Sequence, residues 1–164
     1  MMAELVAFSF TVLTIVGLQW RSTKLETSSA TSAEKERLEG GCHCKRVRWQ
    51  VTTPMRLVVW VCNCSICKMK RNDHVVVPKE SFKLLAGQDD LTTYTFNTGV
   101  AKHIFCKHCG VQSFYRPRSN PDGVGITFTC IDDYQIRPHR FDFFNGEKWE
   151  EFIAKSGIAR YSES

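Results

Sequence analysis

The sequence predicts a mostly β fold: a small domain of short sheets, held together through its cysteines, with one short helix near the C-terminus. Three observations carry this. Short runs rich in β-branched and aromatic residues recur between turn-forming residues, as strands do. A single stretch has helical period. Eight cysteines stand in 164 residues, most of them in close pairs, and these supply the staples a small core needs. The length fits one domain and hardly two.

Taken in order, the chain opens on a continuous apolar run at residues 5–18, LVAFSFTVLTIVGL. It is shorter than the roughly 20 residues a membrane-spanning helix requires. It lacks the basic start and small-residue cleavage site of a secretory signal and follows Glu4. Contact with a membrane would be made only through this run. Residues 21–39 show no apolar period and read as a polar linker. The expected organisation is residues 1–39 as an apolar segment plus linker, 40–155 as the folded domain and 156–164 as a tail.

Within the domain, residues 46–52 alternate Val47, Trp49 and Val51 against Arg46, Arg48 and Gln50, the period of a half-buried strand. Further strands are predicted in LVVWVC (57–62), HVVVP (74–78), FKLLAG (82–87), LTTYTFN (91–97), AKHIFC (101–106), VQSFYR (111–116) and GVGITFT (123–129). Only GEKWEEFIAKSG (146–157) looks helical, with Trp149, Phe152 and Ile153 on one face. There is no internal repeat.

Seven of the cysteines fall into three groups: Cys42 with Cys44, Cys62 with Cys64 and Cys67, and Cys106 with Cys109. Cysteines one or two residues apart are poor disulfide partners and good neighbouring metal ligands. Zinc–sulfur bonds of about 2.3 Å in a tetrahedron set sulfurs roughly 3.8 Å apart, which a tight C-x-x-C turn delivers. A C-x-C pair needs a bent backbone, for which Gly40 and Gly41 before the first pair and Gly110 after the last give freedom. Seven thiols divide as four plus three. Cys62, Cys64 and Cys67 belong together, a tripod with a free fourth position. Spacing alone lets Cys42 and Cys44 close with Cys64 and Cys67 as easily as with Cys106 and Cys109. It also allows both ions to be structural, with Cys130 or a histidine completing the second. Cys130 reads better as a buried apolar thiol. His43, His74, His103, His108 and His139 lack ligand spacing and are left out of the metal count. With no secretory signal, a disulfide framework is disfavoured, and a reducing compartment, cytoplasm or nucleus, is expected.

The formal net charge is +5. Seven thiolates on two divalent ions lower it to about +2, which removes the electrostatic case for nucleic-acid binding.

GGCHC, CNCSIC and FCKHCGVQSFY, in this order, resemble the glutathione-dependent formaldehyde-activating enzyme family. VPKESFKLL, LTTYTFNTG and CGVQSFYRPRSNPDGVGI look like its animal branch, centromere protein V and its paralogues. The resemblance covers roughly residues 38–152 and not 1–37. It implies an all-β, Mss4-like domain and two zinc ions per chain. Cys42, Cys44, Cys106 and Cys109 would hold the structural zinc; Cys62, Cys64 and Cys67 would hold the catalytic one. It implies a carbon–sulfur lyase acting on a thiol–aldehyde adduct such as that of glutathione and formaldehyde. Lys45 stands where the family commonly has glycine. Lys68, Lys70 and Arg71 follow the tripod and would either receive the carboxylates of glutathione or form a solvated loop. Asn63 and Ser65 would donate hydrogen bonds to ligand sulfur, and Asp73 and His74 are the acid–base groups nearest in sequence. The competing reading is a zinc-stapled, non-enzymatic binding module, associated with chromosomes or microtubules, with a vestigial site.

Overall fold

The computed structural model describes residues 35–133 and 135–163, so the apolar run and most of the linker lie outside the described residues. In chain order the elements are β1 (Lys35–Gly41), β2 (Arg48–Pro54), β3 (Val58–Cys62), α1 (Ser65–Lys70), β4 (His74–Pro78), β5 (Phe82–Ala86), β6 (Leu91–Tyr94), β7 (His103–Cys106), β8 (Phe114–Tyr115), β9 (Gly123–Thr127), β10 (Arg140–Phe144) and α2 (Trp149–Ser156). They make three sheets: β1–β2–β5, β10–β3–β4–β9–β8 and β6–β7. All pairings are antiparallel except that of β10 with β3, which is parallel.

The alternation read in residues 46–52 is the alternation observed. Val47, Trp49 and Val51 face the core of the first sheet, Trp49 with no exposure at all. Gly40 in β1 makes room for that indole: a Cβ there would stand 2.4 Å from the ring and 2.2 Å from the Cys130 carbonyl oxygen. β3 and β4 are covered on both faces, as their unbroken apolar runs require. Val59, Val75 and Val77 point into the main core, whereas Val58, Trp60 and Val76 join Phe144 and Ile158 in a second one. Trp149, Phe152 and Ile153 of α2 roof this second core. Each such aliphatic side chain contributes about 1.5–3 kcal/mol through burial.

Four features depart from expectation. β1 begins at Lys35, inside the segment read as linker, and registers along its whole length with β2. A second helix, α1, lies among the tripod cysteines, where 146–157 had been the only helical stretch. β10 occupies residues for which no strand was predicted. The boundary expected after residue 155 falls within packed structure: Ile158 is buried, and Asn120 Nδ2 donates to the carbonyls of Ile158 and Ala159 at 3.0 Å each. Among the described residues, no helix is long and apolar enough to cross a membrane.

Candidate metal centres and the adjoining cavity

Cys42 follows β1, Cys44 lies in the turn into β2, Cys106 ends β7 and Cys109 sits in the turn after it. The structure brings these four together, with all sulfurs within 4.8 Å of one another. Cys44 Sγ lies 3.5 Å from Cys42 Sγ and 3.6 Å from Cys106 Sγ, close to the separation expected around a tetrahedral zinc. The backbone N–H of Val47 points at Cys42 Sγ from 3.4 Å, the outer-shell hydrogen bond that ligand sulfurs commonly receive. The bend of the first pair does not come from Gly40 and Gly41, which are part of β1. It comes from Lys45, at φ +63°, whose N–H closes a turn on the Cys42 carbonyl at 3.0 Å. This explains why glycine suits that position: a left-handed backbone strains any residue with a Cβ. Gly110, at φ +73°, serves the last pair as expected, its N–H bonded to the Cys106 carbonyl at 2.9 Å.

The other three thiols form the second group. Cys62 ends β3, Cys64 caps α1 and buried Cys67 lies one turn further along the same face. α1 accounts for the spacing: the Lys68 N–H reaches the Cys64 carbonyl and the Asn72 N–H the Cys67 carbonyl, each at 3.0 Å, and Arg71 ends the helix at φ +50°. Cys62 and Cys67 both share hydrogen bonds with Cys64, which pulls its thiol down to about 2, while Cys62 is pushed up to about 11. Gly146, after β10, packs directly against the group, since a Cβ there would stand 2.6 Å from Cys62 Sγ and 2.6 Å from Cys64 Cβ.

Asn63 does not donate to ligand sulfur. Its amide joins Asn145 Oδ1 at 3.2 Å and its carbonyl oxygen receives the Glu147 N–H at 3.2 Å, tying the tripod to the turn before α2. Asn72 is the residue whose amide approaches Cys67 Sγ, at 3.9 Å.

The tripod opens into a cavity of about 390 Å³, a size that suits a small molecule. None of Cys42, Cys44, Cys106 or Cys109 lines it. His74, His103, Tyr115, Phe96, Arg118 and Trp149 do. The buried His74 Nδ1 lies 2.9 Å from the Asn72 carbonyl oxygen, which can only accept, so Nδ1 carries the proton. Its bare Nε2 accepts from the Tyr115 hydroxyl at 2.9 Å. Burial holds His74 and His103 below the ordinary histidine range and pushes Tyr115 well above the usual phenol value. The imidazoles are therefore neutral and the phenol is protonated near pH 7. His103 stacks on Tyr115 at 5.6 Å between ring centres.

Of the cations that follow the tripod in sequence, none lines this cavity. Lys70 bonds Gln112 Oε1 at 3.1 Å and lies over the Phe105 ring, and Lys68 and Arg71 border other hollows. Arg118 takes that place, and sequence reasoning missed it, together with Tyr115 and His103. They come from segments some 40–50 residues beyond the tripod, and no spacing rule joins them to it. Cys130 stays outside both groups, partly buried, with burial pushing its thiol up to about 11.

Each cysteine group could hold a metal ion, and its all-sulfur donor set suits zinc. A model of the glutathione-dependent formaldehyde-activating enzyme family matches residues 37–147, which contain both groups. The chain belongs to that family. A Rhodobacter sphaeroides protein of known crystal structure, a structural-genomics target, resembles it with a TM-score of 0.55 at 26% identity, over 63% of this chain and 99% of that one.

Proposed function

We propose that the protein is a zinc-dependent carbon–sulfur lyase acting on a thiol–aldehyde adduct of the glutathione–formaldehyde type. Cys62, Cys64 and Cys67 hold the catalytic ion, and Cys42, Cys44, Cys106 and Cys109 hold a structural one. The observation that carries this reading is the contrast between the two groups. Four sulfurs close on themselves outside the tripod's cavity, while the other three line that cavity together with an acid–base pair.

Zinc on three thiolates supplies a position where a substrate thiol loses its proton and becomes nucleophilic at neutral pH. The rest falls to side chains. In the forward direction a carbon–sulfur bond forms, the thiol gives up a proton and the aldehyde oxygen gains one; nothing is oxidised or reduced. Tyr115 holds a proton at its hydroxyl inside the cavity; it would pass this proton to the aldehyde oxygen and take back the one the thiol gives up, with the bare His74 Nε2 orienting the hydroxyl. The Asn72 carbonyl fixes the tautomer of His74 that allows this. The cavity's aromatic side chains give the adduct apolar walls.

The competing reading, a binding module of the centromere protein V kind, would have to use a surface such as exposed Phe141 and Phe143 on β10. It gives no reason for a tripod facing a cavity that holds a hydrogen-bonded tyrosine and histidine. The decisive experiment measures exchange between formaldehyde, glutathione and S-hydroxymethylglutathione by NMR with zinc-loaded protein. Cys64→Ser should abolish the catalysed exchange while circular dichroism and the ion of the four-cysteine group persist. Undiminished exchange in that variant would refute the mechanism.

A further inference from the structure

The fixed charges around the cavity are few. Among its described lining residues only Arg118 and Glu147 carry fixed charge. Glu147 adjoins Gly146, which packs against Cys62 and Cys64, so it belongs to the tripod side. Arg118 comes from the β8–β9 connection. Its guanidinium lies 3.6 Å from the centre of the Trp149 ring and pairs with Glu150 in the first turn of α2.

That pairing is uneven. The Arg118 side chain keeps 25% of its exposure, whereas Glu150 keeps 75% and is held mainly by solvent. A surface carboxylate of this kind gains little from its partner and is readily exchanged for another carboxylate. The guanidinium itself is fixed by the indole beneath it, leaving a flat, preorganised fork for a bidentate partner. The two imidazoles near it are neutral and do not compete for an anion.

We infer that Arg118 is the carboxylate-binding residue of this cavity, selecting a thiol that carries an anionic group at a distance from its sulfur. The opposed charges orient such a ligand. The cysteine thiolates repel its carboxylate and Arg118 attracts it, which presents the sulfur to the cysteines. Glu150 is the stand-in that the substrate carboxylate displaces. The inference rests on the proposed function for its substrate class, and adds the residue that recognises it.

Calorimetric titration with S-methylglutathione separates the two. This probe keeps both carboxylates but has no thiol to ionise, so its binding reads Arg118 without turnover. Its diethyl ester, which keeps the ammonium group but has no carboxylate, serves as the control. Zinc-loaded wild type should bind the acid more tightly than the ester. Arg118→Gln should weaken the acid at least tenfold and leave the ester within twofold. Arg118→Lys should recover part of the loss, and Glu150→Gln should tighten the acid severalfold by removing the competitor. Equal losses for acid and ester in Arg118→Gln would mean that Arg118 only braces α2, and would overturn the inference. So would absence of acid binding by wild type, or no change in Arg118→Gln. Exchange of glutathione and formaldehyde, measured on the same samples, tests the lyase reading separately: Arg118-dependent binding without exchange sinks that reading and not this one.

Discussion

Gly146→Ala is the smallest change that bears on the tripod without touching a ligand. The added Cβ would meet Cys62 Sγ and Cys64 Cβ at 2.6 Å and Cys64 N at 3.0 Å. Non-bonded carbon and sulfur normally approach to about 3.5–4 Å, so the overlap is about 1 Å on two ligand residues at once. Overpacking of this sort costs about 1–3 kcal/mol. Gly146 does not have a positive φ, so alanine adds no backbone strain and the cost falls on the contacts. Metal–ligand distances tolerate only about 0.2 Å of departure, and sulfurs displaced by more than that no longer converge on one ion. Carried wholly by the tripod, the cost amounts to about 5- to 160-fold weaker metal binding. Chelator competition on protein loaded with two zinc ions should show the weaker equivalent released at correspondingly lower chelator concentration. The ion of the four-cysteine group should be unmoved, and far-ultraviolet circular dichroism unchanged. Release of both equivalents at wild-type chelator concentrations would refute the argument that Gly146 shapes this site.

Two further outcomes follow from local geometry. Lys45→Gly relieves a left-handed residue at a cost of about 1–2 kcal/mol, less the extra freedom glycine has when unfolded, so urea unfolding should show a gain of about 0.5–1 kcal/mol; a lower midpoint would contradict the strain. Burial depresses the folded-state pKa of His74 below its ordinary value near 6.5, so the unfolded chain binds the proton that the folded one refuses. Stability is then full above about pH 6.5 and falls as pH drops below it. His74→Asn should make that fall shallower in urea unfolding between pH 6.5 and 5, with part of the slope kept by His103; an identical slope would show that His74 is not held neutral.

How much of this was legible in the sequence depended on whether a signal was local. Trp49 between Val47 and Val51 declared its strand because one face is buried and the other wet. β1 hid because KERLEGG buries little beyond Leu38 and two glycines; it is recruited by pairing with β2, not by its own pattern. β10 hid for the opposite reason: Phe141 and Phe143 look like core residues but are 59% and 55% exposed on an edge strand. α1 is too short for a period to show, and its capping residue is one of the tripod cysteines. The tripod was plain because its three cysteines share six residues, whereas Arg118, Tyr115 and His103 reach the cavity only through tertiary pairing.

The two cysteine groups also differ in how far apart their ligands lie along the chain, and this sets what each ion does for folding. Cys44 and Cys106 are 62 residues apart, so an ion bridging them closes a long loop that the disordered chain forms only at large entropic cost. Such an ion binds the native state almost alone and clamps it by mass action. The tripod is a hairpin's worth of peptide, able to capture zinc before any sheet exists. An ion that the unfolded chain also binds stabilises the native state only by the difference between its two affinities. On synthesis the tripod is complete once Cys67 emerges, while the clamp waits for Cys109. Starving the protein of zinc during folding should therefore be felt through the group farthest from the chemistry.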